Sequence, residues 1–441
     1  NPYTASGLVA NLDIKDFQVL QNPLGTLTLD ATSKSLSEYD FDLALKDGGA
    51  KLNLTGDYTA KQNTAYLNLE LDIQKLEASI IEGFSNEQLT NAKGYLDGSL
   101  LVKGTLAEPK YSGRINFNEF SLALAAYKST FAIDDQFIDI DQDEVSFNSF
   151  AIKDINQGTL TIDGTVYTES FVNPSFDLTV KTDQFRVLDS KKGDDELVYG
   201  IASIKADVKV LGDLELPIID GRLRIRDITD LTYVVPQDQL DIQERDGVVI
   251  FVNRENPDAI LTRSDEETTN SFFAGMDINT VLEIGNEAKF TIVLDEKTQD
   301  KLQASGNATL NLNIDPNQDI RLSGRLELNS GFYRTSLYNL VSREFQLQKG
   351  SSIVWSGDPF DAKMDVTAIY EIETSASSLM SSISYGTDSS VSGSYAQSTP
   401  FLVYLNIDGQ LMQPELSFAL DMTENAQGNF GGAVYLSLIH I

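Results

Sequence analysis

Residues able to carry covalent or metal chemistry are scarce and poorly placed. The 441-residue chain holds one histidine, His440, at the last position but one, and no cysteine. Ser–His–Asp and Cys–His arrangements, His-based and thiolate metal sites and disulfides are thereby excluded or nearly so. Carboxylates are abundant, with 66 Asp and Glu against 33 Lys and Arg. Asp139, Asp141 and Asp143 alternate in FIDIDQDE and would share one face of a strand. A Ca²⁺ site is one reading of that trio; a solvated outer face beside Ile138 and Ile140 is the plainer one. No GxxxxGK(S/T) loop is present, and no GxGxxG that follows a strand and opens a helix. A net charge of −33 argues against nucleic acid, which needs a basic stripe, and against adsorption to anionic lipid. The chain does not read as an enzyme, and no metal or cofactor is expected.

What remains is the chemistry of apolar surface. Apolar and polar residues alternate in FDLAL (41–45), LNLELDI (67–73), LNLNI (310–314) and many similar runs. Period 2 gives each strand one apolar and one polar side, where buried parallel strands would show continuous apolar runs. The inward candidates are Leu52, Leu54, Leu67, Leu69, Leu71, Phe176, Leu178, Val180, Val208, Val210, Leu223, Ile225, Leu310, Leu312, Leu326, Leu328, Val403, Leu405, Leu416 and Phe418. Such a face must be hidden. A flattened sandwich or β-helix fills its own interior, and a sheet curled into a half-pipe leaves a greasy trough. From pattern alone the filled interior is the simpler solution, and both stay open.

The elements that position this face recur. Gly104, Pro109 and Gly113 return as Gly212, Pro217 and Gly221, each displaced by 108 residues, and Gly56 and Gly164 are separated by the same 108. A looser copy ends in GRLEL at Gly324, and a last one carries Gly409 and Pro414. These residues, with Gly357 and Pro359, are read as turns or close strand approaches, the prolines lying at a strand start or edge. Length would suggest roughly three domains of about 150 residues. The repeat argues instead for one elongated, mostly antiparallel all-β body. Two helical segments are expected, 75–91 with Leu76, Ile80 and Phe84 four apart, and 335–342 (TSLYNLVS). The Ser/Gly-rich stretch 374–399 reads as a flexible loop. No run of roughly 18–20 apolar residues occurs, and the N-terminus shows no positively charged start followed by an apolar run. The start Asn1-Pro2-Tyr3 falls inside strand pattern, so the chain reads as an internal piece of a longer protein.

These segments resemble the C-terminal conserved region of the TamB family, translocation and assembly module subunits related to AsmA-like proteins. The likeness runs in order through GYLDG (94–98), GTLAEPKYSGRI (104–115), LGDLELPIIDGRLRI (211–225), the block 322–375, and TPFLVYLNIDGQLMQPELSFALDMTENAQG (399–428). GDPFDAKMDVTAIY (357–370) is its most specific part. It covers nearly the whole chain, most closely 94–430. After GGAVY (431–435) the sequence departs from the family and ends LSLIHI, which reads as a truncated or atypical end. The resemblance implies a β-taco or β-groove with an apolar concave interior and one or two short helices. Its segments would be 1–93 with the helix near 75–91, 94–220, 221–330, 331–430 with the Ser/Gly loop, and 431–441. It implies a lipid conduit across the periplasm of a Gram-negative bacterium, anchored in the inner membrane through an upstream segment. Phospholipid acyl chains would be its cargo, and a TamA/BamA-type outer-membrane barrel its partner, engaged through a terminal segment missing here. A chaperone or scaffold for outer-membrane β-proteins is the alternative, and a surface β-solenoid adhesin the third reading.

Overall fold

Alternation sustained over whole segments favours strands over helices. In the computed structural model, which describes residues 9–426 and Val434 apart from 62–63, 126–128, 170–171, 194–196, 236–274, 318, 338–340, 381–395 and 412, 24 strands join in one sheet. Strands β1 (Val9–Val19), β2 (Asn22–Ser33), β3 (Glu38–Lys46), β4 (Ala50–Lys61), β5 (Thr64–Glu77), β6 (Leu89–Thr105) and β7 (Pro109–Leu124) form an antiparallel meander. Next, β8 (Ser129–Ile133) and β9 (Gln136–Gln142) lie end to end and share one position between β7 and β10 (Glu144–Asp154). The meander continues through β11 (Thr159–Tyr167), β12 (Ser175–Ser190) and β13 (Val198–Asp213).

Two further end-to-end pairs follow, β14 (Pro217–Ile225) with β15 (Asp230–Val234), and β16 (Asp277–Ile284) with β17 (Lys289–Asp295). These two positions pair in parallel, against the antiparallel rule elsewhere. The sheet is completed by β18 (Asp300–Ile314), β19 (Ile320–Leu337), the split position of β20 (Val341–Leu347) and β21 (Ser352–Gly357), β22 (Lys363–Ser375), β23 (Ser398–Gln410) and β24 (Gln413–Met422). With four split positions, 24 strands make twenty rungs, a ladder about 90 Å long at about 4.8 Å per rung. Among the described residues β1 pairs with β2 alone and β24 with β23 alone, so the sheet is an open curl and not a barrel. The segment boundaries 93/94, 220/221 and 330/331 fall inside β6, β14 and β19.

The curl has a local cause. Register shifts interrupt β1 between Ile14 and Phe17, β5 between Ile73 and Leu76, β10 between Phe147 and Phe150, β12 between Thr182 and Phe185, and the β18–β19 pairing at Ser305/Gly306. The four split positions break at 134–135, 226–229, 285–288 and 348–351. Together they draw a seam along the ladder. Asp16, Asn91, Glu119, Asp135 and Ser149 lie on it with φ between +46° and +54°. Extra residues on one strand bend it and strengthen its twist, so a row of them folds the sheet lengthwise. At one break Thr229 mends the ladder: its Oγ1 accepts from the Ser203 N–H at 3.2 Å and donates to the Ser203 carbonyl at 3.2 Å.

The repeated motif proves to be a hairpin of constant build. Gly104 pairs with Pro109, Gly212 with Pro217 and Gly409 with Pro414, each pair closing a turn on the same rim. Pro109 and Pro217 open their strands, where no ladder N–H is required. Gly113, Gly221 and Gly324 are corrected: they lie inside β7, β14 and β19 and not at turns. Gly164 explains why such positions hold glycine. With φ +129°, a Cβ there would stand 2.1 Å from the Asp177 carbonyl oxygen of the next strand.

Three further expectations are revised. The helix expected over 75–91 is confined to α1 (Ala78–Phe84), because Leu76 belongs to β5 beyond its bulge. α1 buries Ala78 and Ile80, the latter against Leu24 and Ala50. The helix expected over 335–342 is replaced by strand at its described residues, where β19 runs to Leu337 and β20 begins at Val341; 338–340 lie outside the described residues. Of the loop expected over 374–399, Thr374 and Ser375 end β22, Ser377–Met380 form the short helix α2, and Ser398 opens β23; 381–395 lie outside the described residues.

Two variants test this account. Gly164→Val is expected to cost about 2 kcal/mol or more through backbone strain and collision, read as a lower urea midpoint. Thr229→Val leaves the Ser203 N–H unpaired and is expected to cost about 1–3 kcal/mol, whereas a midpoint unchanged from wild type would remove Thr229 from the seam's support.

Candidate functional site

Ladder pairing shows how the apolar sides of the strands connect. One row runs Ile14, Leu27, Leu45, Leu52, Ile73, Gly98, Ile115, Ile138. It continues from β10 as Phe147, Gly164, Leu178, Val210, Ile219, Ile278, Ile314, Ile320. Parallel to it run Leu29, Leu43, Leu54, Leu71, Leu100 and, further on, Phe150, Ile162, Val180, Val208, Gly221, Thr280, Leu312, Leu322. Leu67 faces Tyr58 and Gly104, Leu69 faces Gly56 and Val102, and Phe176 faces Val166 and Gly212.

The same face continues across the parallel step. Ala206, Leu223, Leu282 and Leu310 form one row, and Ile204, Ile225, Ile284, Ala308, Leu326, Ile353 and Met364 another. Leu328 sits opposite Gly306. At the far end Ala368 pairs with Leu405 and Leu405 with Phe418, Val366 with Ile407 and Ile407 with Leu416, and Tyr370 with Val403. All twenty inward candidates therefore lie on one face, linked rung to rung.

Their exposure is uneven. Leu310, Leu328 and Leu405 are buried, the last two in a cluster with Leu347, Met364, Val366 and Ala368. Leu416 and Phe418 on the terminal strand are 60% and 68% exposed. The other fifteen are half-buried. A filled sandwich core would bury most of them, since such residues touch side chains on every side; a single curled layer covers them in part.

The opposite face is polar and charged. Along β5, Asn68, Glu70 and Asp72 are exposed between the half-buried leucines. Cross-strand ion pairs line this side: Arg114 with Asp139 at 2.7 Å, Lys110 with Asp143 at 2.9 Å, Lys205 with Asp183 at 2.7 Å, and Arg222 with Glu283 at 3.4 Å. Arg114 and Lys110 are held above their ordinary pKa by donating to Asp139 and Asp143, and Asp183 is held below its own by the Lys205 ammonium. Two of the three alternating aspartates thus serve as partners of strand cations. Such exposed pairs are worth little individually; they keep the outer face wet.

The most specific sequence block opens as a turn and runs on into β22. The Trp355 indole N–H donates to the Pro359 carbonyl at 3.0 Å, and the Phe360 N–H to Asp358 Oδ1 at 2.8 Å. Gly357 ends β21 and Pro359 lies in this turn. Sequence reading missed the seam, whose signal is an apolar pair three apart inside an alternating run: IKDF (14–17), IQKL (73–76), FNEF (117–120) and FNSF (147–150).

An open sheet, curled along a seam, apolar on one face and charged on the other, defines a β-groove protein. A family model described as the TamB C-terminal domain matches residues 148–430, and the chain belongs to the TamB family. A comparison with curated proteins returned no match. Among the described residues no helix is long and apolar enough to cross a membrane.

A half-covered apolar face predicts that the native chain binds a hydrophobic dye such as anilinonaphthalene sulfonate while its near-UV circular dichroism stays intact. Dye fluorescence that appears only on unfolding would mean the face is sealed.

Proposed function

We propose that this chain is part of a periplasm-spanning lipid conduit that moves phospholipids between the inner and outer membranes along its apolar face. Family membership ties it to outer-membrane assembly and to transport of lipid or protein. The observation that supports the finer reading is that the apolar rows share one face from rung to rung, with fifteen of the twenty inward candidates half-buried. Acyl chains would lie against these rows while head groups stay at the wet mouth. Each CH₂ removed from water contributes about 0.8 kcal/mol, so the face holds chains without directional bonds and lets them slide. Nothing in this mechanism is catalytic. The TamB family is associated with TamA; docking of this chain to a TamA/BamA-type barrel is part of the proposal, as are its periplasmic location and its anchoring through an upstream segment.

A second reading, a scaffold for outer-membrane β-proteins, draws support from β24. Its described pairing is with β23 alone, and Leu416, Phe418 and Leu420 are exposed along it. Such an edge offers a template for a client strand. Native mass spectrometry separates the two readings: co-purified phospholipid supports the conduit, and lipid-free chain that binds unfolded barrel segments supports the scaffold.

The direct test places a charge in the trough. Leu326 and Leu223 are half-buried members of adjoining rows. Leu326→Asp or Leu223→Arg adds a barrier of several kcal/mol to a sliding chain, so lipid passage is expected to stop in a variant that keeps its β-sheet circular dichroism. Full passage in such a folded variant would sink the conduit mechanism.

A further inference from the structure

We propose that Phe117, Phe120, Phe147 and Phe150 form a rigid narrow station in the trough that selects acyl chains by cross-section. The inference rests on the lipid-conduit reading. In β7 the two phenylalanines flank residues 118–119, where Glu119 has φ +46°; in β10 they flank 148–149, where Ser149 has φ +50°. One extra residue in β7 relative to β6, and one in β10 relative to β11, keeps both members of each pair on the concave side. The result is a chain of four edge-to-face rings. Phe117 meets Phe120 at 5.4 Å and 88°, Phe147 meets Phe150 at 5.4 Å and 88°, and Phe117 meets Phe150 at 5.3 Å and 74° across the intervening rung.

The set has two tiers. Phe120 and Phe150 are each 4% exposed at the bend, and the half-buried Phe117 and Phe147 lie towards the open trough. A second contact braces this stretch: Phe131 on β8 stacks on Phe185 on β12, with centroids 5.4 Å apart and planes at 10°. Elsewhere on the seam the flanking pairs are Ile14 and Phe17, Ile73 and Leu76, Thr182 and Phe185, or Ser305 and Gly306, and none of these has a phenylalanine on both sides. Along the rungs leading from Phe150, the row steps down through Ile162, Val180 and Val208 to Gly221. Side-chain bulk on this row is thus greatest at Phe150 and falls to Gly221, before Leu312 and Leu322 restore it further on.

Aromatic side chains have two torsions, and edge-to-face packing fixes both. A leucine floor repacks around what lies on it; this floor does not. The four rings are apolar, and Gln136, opposite Phe117 on the intervening rung, accepts from the Ala151 N–H at 3.0 Å, so the station reads chain width and not head group. A polymethylene chain would pass, and a chain bearing a fused ring system would stall.

The test compares two phosphatidylethanolamines with the same head-group fluorophore, one dipalmitoyl and one carrying a pyrenyl-decanoyl chain, in vesicle-to-vesicle transfer by the wild-type chain. The pyrenyl lipid is expected to move about tenfold more slowly, and Phe117→Leu with Phe150→Leu to narrow that gap. Equal rates for both lipids in wild type would overturn the station while leaving the conduit standing. A gap left unchanged by the folded double variant would overturn it too. Movement of neither lipid would overturn the conduit reading, and this inference with it.

Discussion

The described strands each have one apolar side, and among the described residues no second sheet covers it, while the short helices α1 and α2 shelter it only near Leu24 and Ala50 and near Phe401 and Met422. That constraint governs the rest of the structure. A flat sheet of twenty rungs would present a broad apolar surface to water, at a cost of about 25 cal/mol for each Å² left exposed. Folding lengthwise along a seam lets the two halves of each strand shelter one another. The bulges, split positions and left-handed residues such as Glu119 and Ser149 are local strains that the gain in shelter offsets. The glycines inside strands belong to the same economy of space, since at Gly164 a side chain would collide with the carbonyl of Asp177.

The shelter is partial, and the partial cover gives the TamB-family groove its chemical character. Fifteen of the twenty inward candidates remain half-buried. Complete burial would convert the face into ordinary core, as has happened around Leu328, Met364, Val366, Ala368 and Leu405. Full exposure would invite aggregation. The charged convex face, with pairs such as Arg114–Asp139 and Lys205–Asp183 and a net charge of −33 over the chain, keeps the molecule apart from its neighbours.

Much of this was legible in the sequence, and the limits of legibility are physical. Alternation in LNLELDI (67–73) assigned strand and face correctly because a half-covered strand has period 2. The spacing of Gly104, Pro109 and Gly113 located a hairpin that the structure repeats at Gly212–Pro217 and Gly409–Pro414. The helix at 75–91 was overextended because a bulge and a helix both bring apolar residues three or four apart; Ile73 and Leu76 flank a bulge, and Ile80 sits on α1. Curvature was invisible for the same reason, since FNEF and FNSF look like lapses in a pattern until their strands are paired. Gly113 and Gly221 were placed at turns because glycine marks tight backbone without saying whether the chain reverses or is merely crowded. Period 2 also says nothing of how far the two walls stand apart, so the choice between filled and open interior needed pairing and exposure together.

The parallel step between β14–β15 and β16–β17 bears on how the chain reaches this state. Hairpins such as Gly104–Pro109 close over a handful of residues, but Ile218 must find Asp277, 59 residues away. Loop closure before reward makes such long-range contacts slow to form. The two meanders on either side have local order of their own, so each zips up hairpin by hairpin and the parallel joint between them forms last. The molecule then has two cooperative units in its kinetics although it is one sheet in space, and heat or denaturant should part it along that joint before either meander gives way.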